Sequence, residues 1–151
     1  MLINIAGITL SISQSGRNAI QKITVAIPAN IEINTDFELV LNPNTSQEMT
    51  SEIRETAKRI FQKPWECKVL SAPAGPESLE SWTDYHLASV CVLPLVEAYQ
   101  TEVDGIVLAC FGDPGLYLLK EYCKVPVVGI AEASMSLAIL LGAKFGILAG
   151  M

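Results

Sequence analysis

The chain has 151 residues, a length that suits one domain with a substantial core. Its net charge is −6 and its Lys and Arg residues are scattered, which excludes the basic patch of a nucleic-acid-binding protein. Half of the residues are hydrophobic and only 17% are charged, which indicates an apolar surface that a second domain or a partner subunit covers.

Residues 1–36 are predicted to form an N-terminal extension that is strand-like or disordered. Apolar and polar residues alternate over residues 8–12, residues 13–18 are typical of a turn, and residues 23–27 are a second candidate strand. A β-hairpin is one interpretation. An unstructured leader, or an upstream stretch wrongly joined to the gene, is the alternative.

Residues 37–151 show a regular alternation that predicts an α/β domain with an open, mainly parallel sheet and helices on both faces. The predicted strands are 37–41, 67–70, 105–109, 125–129 and 144–148. The predicted helices are one with apolar positions between 49 and 61, one over 79–102 that Pro94 breaks, and others over 114–122 and 131–141. Gly142 is expected to end the last helix. The final strand has no helix after it, from which we expect the domain to continue in a longer parent protein.

The stretch 104–115 organises the predicted domain, because an unbroken apolar run ends there in Cys110. Such a run is typical of a strand buried on both faces, and open α/β sheets bind their ligands beyond the carboxyl ends of such strands. We interpret Cys110 as an acid/base or nucleophilic thiol. The alternative is a structural cysteine that closes a buried strand. A helix that starts after the loop is expected to lower the pKa of Cys110 from its free value of about 8.5.

Three loops that precede helices are predicted to open at one edge of the sheet, at residues 42–46, 110–113 and 131–133. The free N–H groups of a helix N-terminus favour an anion. A small-molecule ligand with a carboxylate or an imide-like group would suit this edge.

Polar side chains in the first two loops each allow two interpretations. Asn44 is the better ligand contact, because its amide both donates and accepts. Thr45 forms a capping-box pattern with Glu48, and its hydroxyl or N–H group also has access to a ligand. Asp113 before Pro114 is predicted to cap a helix rather than to act in catalysis.

Two further residues have structural alternatives. Asn42 either faces the ligand or serves the turn before Pro43. Glu132 is either a favourable charge at a helix start or a polar wall of the pocket.

Cysteine spacing argues against a metal centre. The four cysteines are Cys67, Cys91, Cys110 and Cys123. No CxxC pair occurs, and the lone His86 has no companion at zinc spacing, so we expect no metal. Reduced thiols in a cytoplasmic protein fit the pattern better than a disulfide scaffold. No Lys or Arg precedes the apolar N-terminus, and Lys144 interrupts the apolar stretch 133–151, so neither a signal peptide nor a membrane span is expected.

Five motifs resemble the hydantoin racemase branch of the aspartate/glutamate racemase superfamily over roughly residues 37–148. The motifs are Leu41-Asn-Pro-Asn-Thr-Ser46 with Met49-Thr50, Ala74-Gly-Pro-Glu-Ser-Leu-Glu80, Asp104-Gly105, Ala109-Cys-Phe-Gly-Asp-Pro-Gly-Leu116 and Pro126-Val-Val-Gly-Ile-Ala-Glu-Ala133. The resemblance implies a flavodoxin-like half of a two-domain enzyme, with the active site between the domains. It also implies cofactor-independent racemisation at a carbon next to a carbonyl. The substrate contacts expected from the loops and the resemblance are Asn44, Thr45, Ser46, Phe111, Gly112 and Glu132.

The resemblance implies two cysteines, one thiolate that removes a proton and one thiol that returns it, and Cys110 matches the first. The second lies in a later Gly-Cys-Ala-Gly-Met-like motif, whereas this chain has Leu148-Ala-Gly-Met151, by chance or through loss of an internal segment. Three hypotheses follow. The chain is the N-terminal half of a hydantoin- or allantoin-type racemase, a non-catalytic ligand-binding or subunit-interaction remnant, or a one-cysteine lyase or isomerase. A homo-oligomer or a second domain is the expected partner.

Overall fold

The computed structural model describes residues 2–5, 8–14, 20–26, 37–61 and 65–147. The chain divides into two compact units, Met1–Asn34 and Thr35–Met151. The first unit holds an antiparallel sheet of β1 (Leu2–Ile5), β2 (Ile8–Gln14) and β3 (Ile20–Ala26), in that order. The pairing of β2 with β3 agrees with the predicted hairpin, although residues 15–18 of its predicted turn lie outside the described ranges.

The second unit alternates strands with helices. Its strands are β4 (Phe37–Asn42), β5 (Glu66–Ser71), β6 (Gly105–Leu108) and β7 (Val127–Gly129). Its helices are α1 (Gln47–Ile60), α2 (Trp82–Cys91), α3 (Leu93–Tyr99), α4 (Leu116–Tyr122) and α5 (Ile130–Leu141). These four strands are parallel in the order β5-β4-β6-β7, which confirms the predicted sheet.

Helices cover both faces of this sheet, because neighbouring residues of a strand point to opposite sides. Leu39 and Leu41 of β4 belong to a core cluster with residues of α3 and α4. Val40 belongs to a second cluster with Val69 of β5 and Ala57 of α1. The near-continuous apolar sequence of β4 therefore reflects burial on both faces, as predicted.

The order of the strands reverses beside β4. The chain runs from β4 outward to β5, and then crosses back to place β6 on the other side of β4. Open α/β sheets bind ligands beyond the carboxyl ends of the strands at such a reversal. The Ala109 N–H group donates to the Leu41 carbonyl at 2.8 Å, one residue before Cys110. The end of β4 and Cys110 therefore lie side by side at this edge.

Two helix boundaries differ from prediction. Ser46, and not Thr45, caps α1, because its hydroxyl accepts from the Met49 N–H group at 3.2 Å. Thr45 instead donates its N–H group to the Pro76 carbonyl at 3.0 Å, so the Thr45 capping box is wrong. The predicted break between α2 and α3 is confirmed, but it falls at Val92, and Pro94 lies in the first turn of α3, where a proline is tolerated.

The strand predicted over 144–148 is wrong for residues 144–147, which form no strand, and Leu148 lies outside the described residues. Phe145 and Ile147 are about half exposed, so burial does not hold this segment against the sheet. Gly142 ends α5 as predicted. Within the described part of the chain, no helix combines the length and the hydropathy needed to cross a membrane.

Candidate active site

Cys110 lies in a loop of two consecutive turns after β6. The Asp113 N–H group donates to the Cys110 carbonyl at 3.0 Å, and the Leu116 N–H group donates to the Asp113 carbonyl at 3.1 Å. Helix α4 therefore begins at Leu116 rather than at Pro114 as predicted, with Gly115 as its N-cap at φ +75°. Cys110 is six residues away from the first residue of that helix.

The Asp113 carboxylate accepts two backbone hydrogen bonds, from the Ala131 N–H group at 3.1 Å and from the Glu132 N–H group at 2.7 Å. The predicted capping of a helix at Pro114 is therefore wrong, because Asp113 caps the neighbouring helix α5. A Cβ atom on Gly129 would collide with the Asp113 carboxylate, so only glycine leaves room there. The anion that α5 was expected to attract is supplied by the protein itself.

The Cys110 thiol is half-buried, and its pKa is raised from the ordinary cysteine value. Burial is the largest cause, and the Asp113 carboxylate adds to it, whereas a hydrogen bond from the Gly112 backbone opposes it. The expected lowering by a helix N-terminus is wrong, because two turns separate Cys110 from α4 and the nearest charge is negative. Burial and the Asp113 charge therefore both favour the protonated thiol over the thiolate.

We expect Cys110 to react with iodoacetamide at neutral pH more slowly than a cysteine in an unstructured peptide, because the thiolate is the reacting form. A raised pKa keeps the thiol protonated through the range in which a free cysteine ionises, so the reaction should accelerate only at higher pH. Mass spectrometry of the Cys110 peptide after timed alkylation measures this rate from pH 6 to 10. A rate–pH curve with its midpoint at or below that of the peptide would contradict the shift.

A buried amide network shapes the loop after β4. The Asn42 side-chain N–H groups donate to Asn44 Oδ1 at 2.7 Å and to Thr50 Oγ1 at 3.0 Å. Asn44 Oδ1 also accepts from the Ser46 N–H group at 3.0 Å, and its Nδ2 lies 3.0 Å from Met49 Sδ. Asn42 thus serves the turn, and the amide of Asn44 is engaged inside the loop. Its contact with a ligand stays a prediction.

We expect Asn42→Ala to lower the free energy of unfolding of this unit by about 2 kcal/mol, because it removes the buried hydrogen bonds that the Asn42 side chain makes with Asn44 and Thr50. Urea denaturation followed by circular dichroism measures the change. Ser78→Ala, in an exposed loop, is the control and should change stability by less than about 0.5 kcal/mol. Equal effects of the two substitutions would contradict a structural role for the network.

The second and third predicted loops meet, and the first follows β4 at the same edge of the sheet. Asp113 joins the second loop to the third through its bonds to α5, and Glu132 also pairs with Lys120 of α4 at 2.6 Å. Two glycines allow close packing on α2, because a Cβ on Gly112 would collide with the Tyr85 ring and one on Gly115 would lie 2.7 Å from Ser89 Cβ. Sequence reasoning missed these helix contacts. The glycines on both sides of Asp113 were the available signal.

A cleft of about 240 Å³ opens beside the loop. Its lining residues are Phe111, Ser134, Met135, Ala138, Phe145, Gly146 and Ile147. Helix α5 also exposes several large apolar side chains; these are Leu137, Ile139, Leu140 and Leu141. Apolar surface of this extent is unusual for a free domain.

Two of the other three cysteines lie away from Cys110. Cys67 is the second residue of β5, near the opposite edge of the sheet, and Cys123 is the C-cap of α4, at the far end of that helix. Cys91 ends α2 and packs against the core. Across the described ranges, no group of three or more His, Cys, Asp or Glu residues could hold a metal ion.

Comparison with known proteins finds one family model and several relatives that are similar to this chain. Residues 39–151 match the model of the Asp/Glu/hydantoin racemase family. A hydantoin racemase of Pseudomonas sp. is 40% identical over 109 residues, which are 72% of this chain and 44% of that protein. A hydantoin racemase of Paenarthrobacter aurescens is 35% identical over 111 residues, 72% of this chain and 47% of that protein.

Two solved structures share the fold. An allantoin racemase from Klebsiella pneumoniae superimposes with a TM-score of 0.66 at 40% identity, over 70% of this chain and 43% of that one. An allantoin racemase from Pseudomonas fluorescens superimposes with a TM-score of 0.68 at 35% identity, over 72% of this chain and 46% of that one. This chain thus spans about half the length of these relatives.

Proposed function

The chain belongs to the Asp/Glu/hydantoin racemase family, and from this premise we propose that it acts in cofactor-independent racemisation of hydantoin- or allantoin-type amino-acid derivatives, in the cytoplasm. The observation that carries the proposal is the place of Cys110, at the carboxyl end of β6 and beside the reversal of strand order. Open α/β sheets bind ligands there. The match to hydantoin racemases over 72% of the chain supports the substrate class.

The proposed step is proton transfer at the ring carbon next to a carbonyl. A thiolate removes the proton, the C–H electron pair moves into the carbonyl to form an enolate, and a thiol on the opposite face protonates the carbon. Inversion follows because the two protons pass on opposite faces. A raised pKa favours the thiol form of Cys110, so Cys110 enters this scheme as the proton donor. In the reverse direction the thiolate that this step leaves behind removes the proton, and the second group returns one.

The second acid/base group is proposed to come from a second domain or from another copy of this chain. The distant positions of Cys67 and Cys123 support this, since a proton donor must reach hydrogen-bond distance of the substrate carbon. The exposed apolar side chains of α5 offer a surface for such a partner.

An uncharged imide ring is favoured over a carboxylate as the group held by the loops, because Asp113 already occupies the N–H groups that begin α5. The proposed substrate contacts are Asn44, Thr45, Ser46, Phe111, Gly112 and Glu132. Among them Phe111 is half exposed and lines the cleft, so its ring is available to an apolar ring substituent.

A one-cysteine lyase or isomerase is the second candidate, in which a planar intermediate is protonated from one face only. The observation that favours it is the position of Cys110 at this edge, with Cys67 and Cys123 elsewhere and Cys91 packed against the core. The alternative in which the chain catalyses no reaction is a ligand-binding remnant of the family.

One assay separates these functions. Each enantiomer of a 5-substituted hydantoin is incubated with the chain in D2O, and optical rotation and deuterium uptake at the ring carbon are followed together. Uptake with loss of rotation supports racemisation. Uptake that retains configuration favours one-thiol chemistry. No uptake and no loss of rotation above the protein-free rate would contradict both catalytic proposals.

A further inference from the structure

We propose that Asp113 is a positioning residue for Cys110, whose carboxylate binds the start of α5 and thereby holds the turn that presents the thiol. The importance of this role for catalysis rests on the proposed function of Cys110. The positioning itself does not, because it concerns the geometry and the reactivity of the thiol.

Hydrogen bonds of Asp113 connect the Cys110 loop directly to helix α5. The Asp113 N–H group closes the turn on the Cys110 carbonyl at 3.0 Å. The carboxylate of the same residue accepts from Ala131 N at 3.1 Å and from Glu132 N at 2.7 Å. One residue therefore joins the loop of the thiol to the first turn of α5, and charge-assisted bonds to backbone N–H groups are among the stronger hydrogen bonds.

The surrounding backbone is shaped for this carboxylate. Asp113 has a φ of +44°. Few residues other than glycine adopt this left-handed conformation, and among them Asn and Asp tolerate it best. Gly129 lies against its carboxylate, where any Cβ atom would collide. A left-handed aspartate and a facing glycine indicate a contact to which the local backbone is fitted, rather than an exposed acidic residue.

The charged and titratable groups around the Cys110 loop come from the loop itself and from three helices. Asp113 belongs to the loop, Tyr85 of α2 packs against Gly112, and Glu132 of α5 is paired with Lys120 of α4. The Asp113 carboxylate is the charge that acts on Cys110, and it raises the pKa of that thiol. Removal of this charge should therefore lower the pKa of the Cys110 thiol. An asparagine at this position keeps one acceptor oxygen and so retains one of the two hydrogen bonds to α5.

The experiment compares Asp113→Asn and Asp113→Ala with the native chain. Asparagine keeps one acceptor oxygen and removes the charge, and alanine removes both. Glu121→Gln, an exposed position on α4, is the control for loss of one negative charge. Two quantities are measured, namely the pH dependence of iodoacetamide alkylation at Cys110 by mass spectrometry and the hydrogen exchange of the Ala131 and Glu132 amides by NMR.

We expect Asp113→Asn to move the midpoint of the alkylation curve to lower pH, so that Cys110 reacts about threefold faster near pH 7.5. Asp113→Ala should show the same shift, and its Ala131 and Glu132 amides should exchange at least about tenfold faster, because they lose both acceptors. Glu121→Gln should match the native chain in both measurements.

An Asp113→Asn curve that coincides with the native and Glu121→Gln curves would overturn the proposal, even if Asp113→Ala fails to fold. So would amide exchange at Ala131 and Glu132 that Asp113→Ala leaves unchanged. Failure of the proposed function is distinguishable, because it would leave hydantoin exchange absent or insensitive to Cys110 while the alkylation shift of Asp113→Asn persisted.

Discussion

Replacing Cys110 with alanine is expected to reduce deuterium uptake at the ring carbon of a chiral 5-substituted hydantoin by about 10²–10⁴-fold, the range typical of a lost general acid or base. The physical reason is that alanine neither donates nor accepts a proton at this edge of the sheet. Proton NMR in D2O measures the initial rate of uptake for the native chain and the variant at equal concentrations.

Cys123→Ala is the matched control, because it makes the same chemical change at the C-cap of α4, away from the Cys110 loop. Its uptake rate should stay within about twofold of the native rate, since its thiol lies too far away to reach the same carbon. If Cys110→Ala retained native uptake, or if Cys123→Ala lost it equally, Cys110 would not be the acid/base group.

Leu108→Ala is expected to lower the free energy of unfolding of the α/β unit by about 2–5 kcal/mol. Leu108 is fully buried, belongs to the larger core cluster and lies on β6 two residues before Cys110. The loss combines the transfer free energy of the removed methyl groups with the cavity that the packed helices leave unfilled. Urea denaturation followed by circular dichroism measures the change in midpoint.

Leu140→Ala makes the same change at a position of α5 that is 65% exposed. It should alter stability by no more than about 0.5 kcal/mol, because solvent already contacts most of that side chain. A Leu108→Ala midpoint indistinguishable from that of Leu140→Ala would contradict the placement of β6 in the centre of the sheet.

The sequence by itself determined the sheet and the place of the thiol. The near-continuous apolar runs that become β4 and β6 required burial on both faces, and burial on both faces implies a parallel sheet between helices. The end of such a strand can be read from the local sequence, because the apolar run stops there. The position of Cys110 at the carboxyl edge of the sheet could therefore be predicted from its place at the end of the run. The racemase family followed in the same way, from motifs in a fixed order.

Only the tertiary structure decided which groups surround that thiol. A sequence places Asp113 before Pro114 and indicates a local cap, but the carboxylate binds α5, eighteen residues further along the chain. Thr45 lost its capping role to Ser46 for a similar reason, because a carbonyl at Pro76 binds its N–H group. A local sequence pattern cannot show whether a polar group will form its hydrogen bond with a neighbour in sequence or with a distant residue that folding brings close.

The pKa of Cys110 also depends on the tertiary structure rather than on the local sequence. Residue type and sequence position predicted a helix N-terminus beside the thiol and hence a lowered pKa, whereas the folded loop raises it by burial and by the Asp113 charge. Burial and the distance between charges exist only after the strands and helices have packed. The sequence therefore determined where the Cys110 thiol lies, and the tertiary structure decided that its pKa is raised and that Asp113 joins its loop to the start of α5.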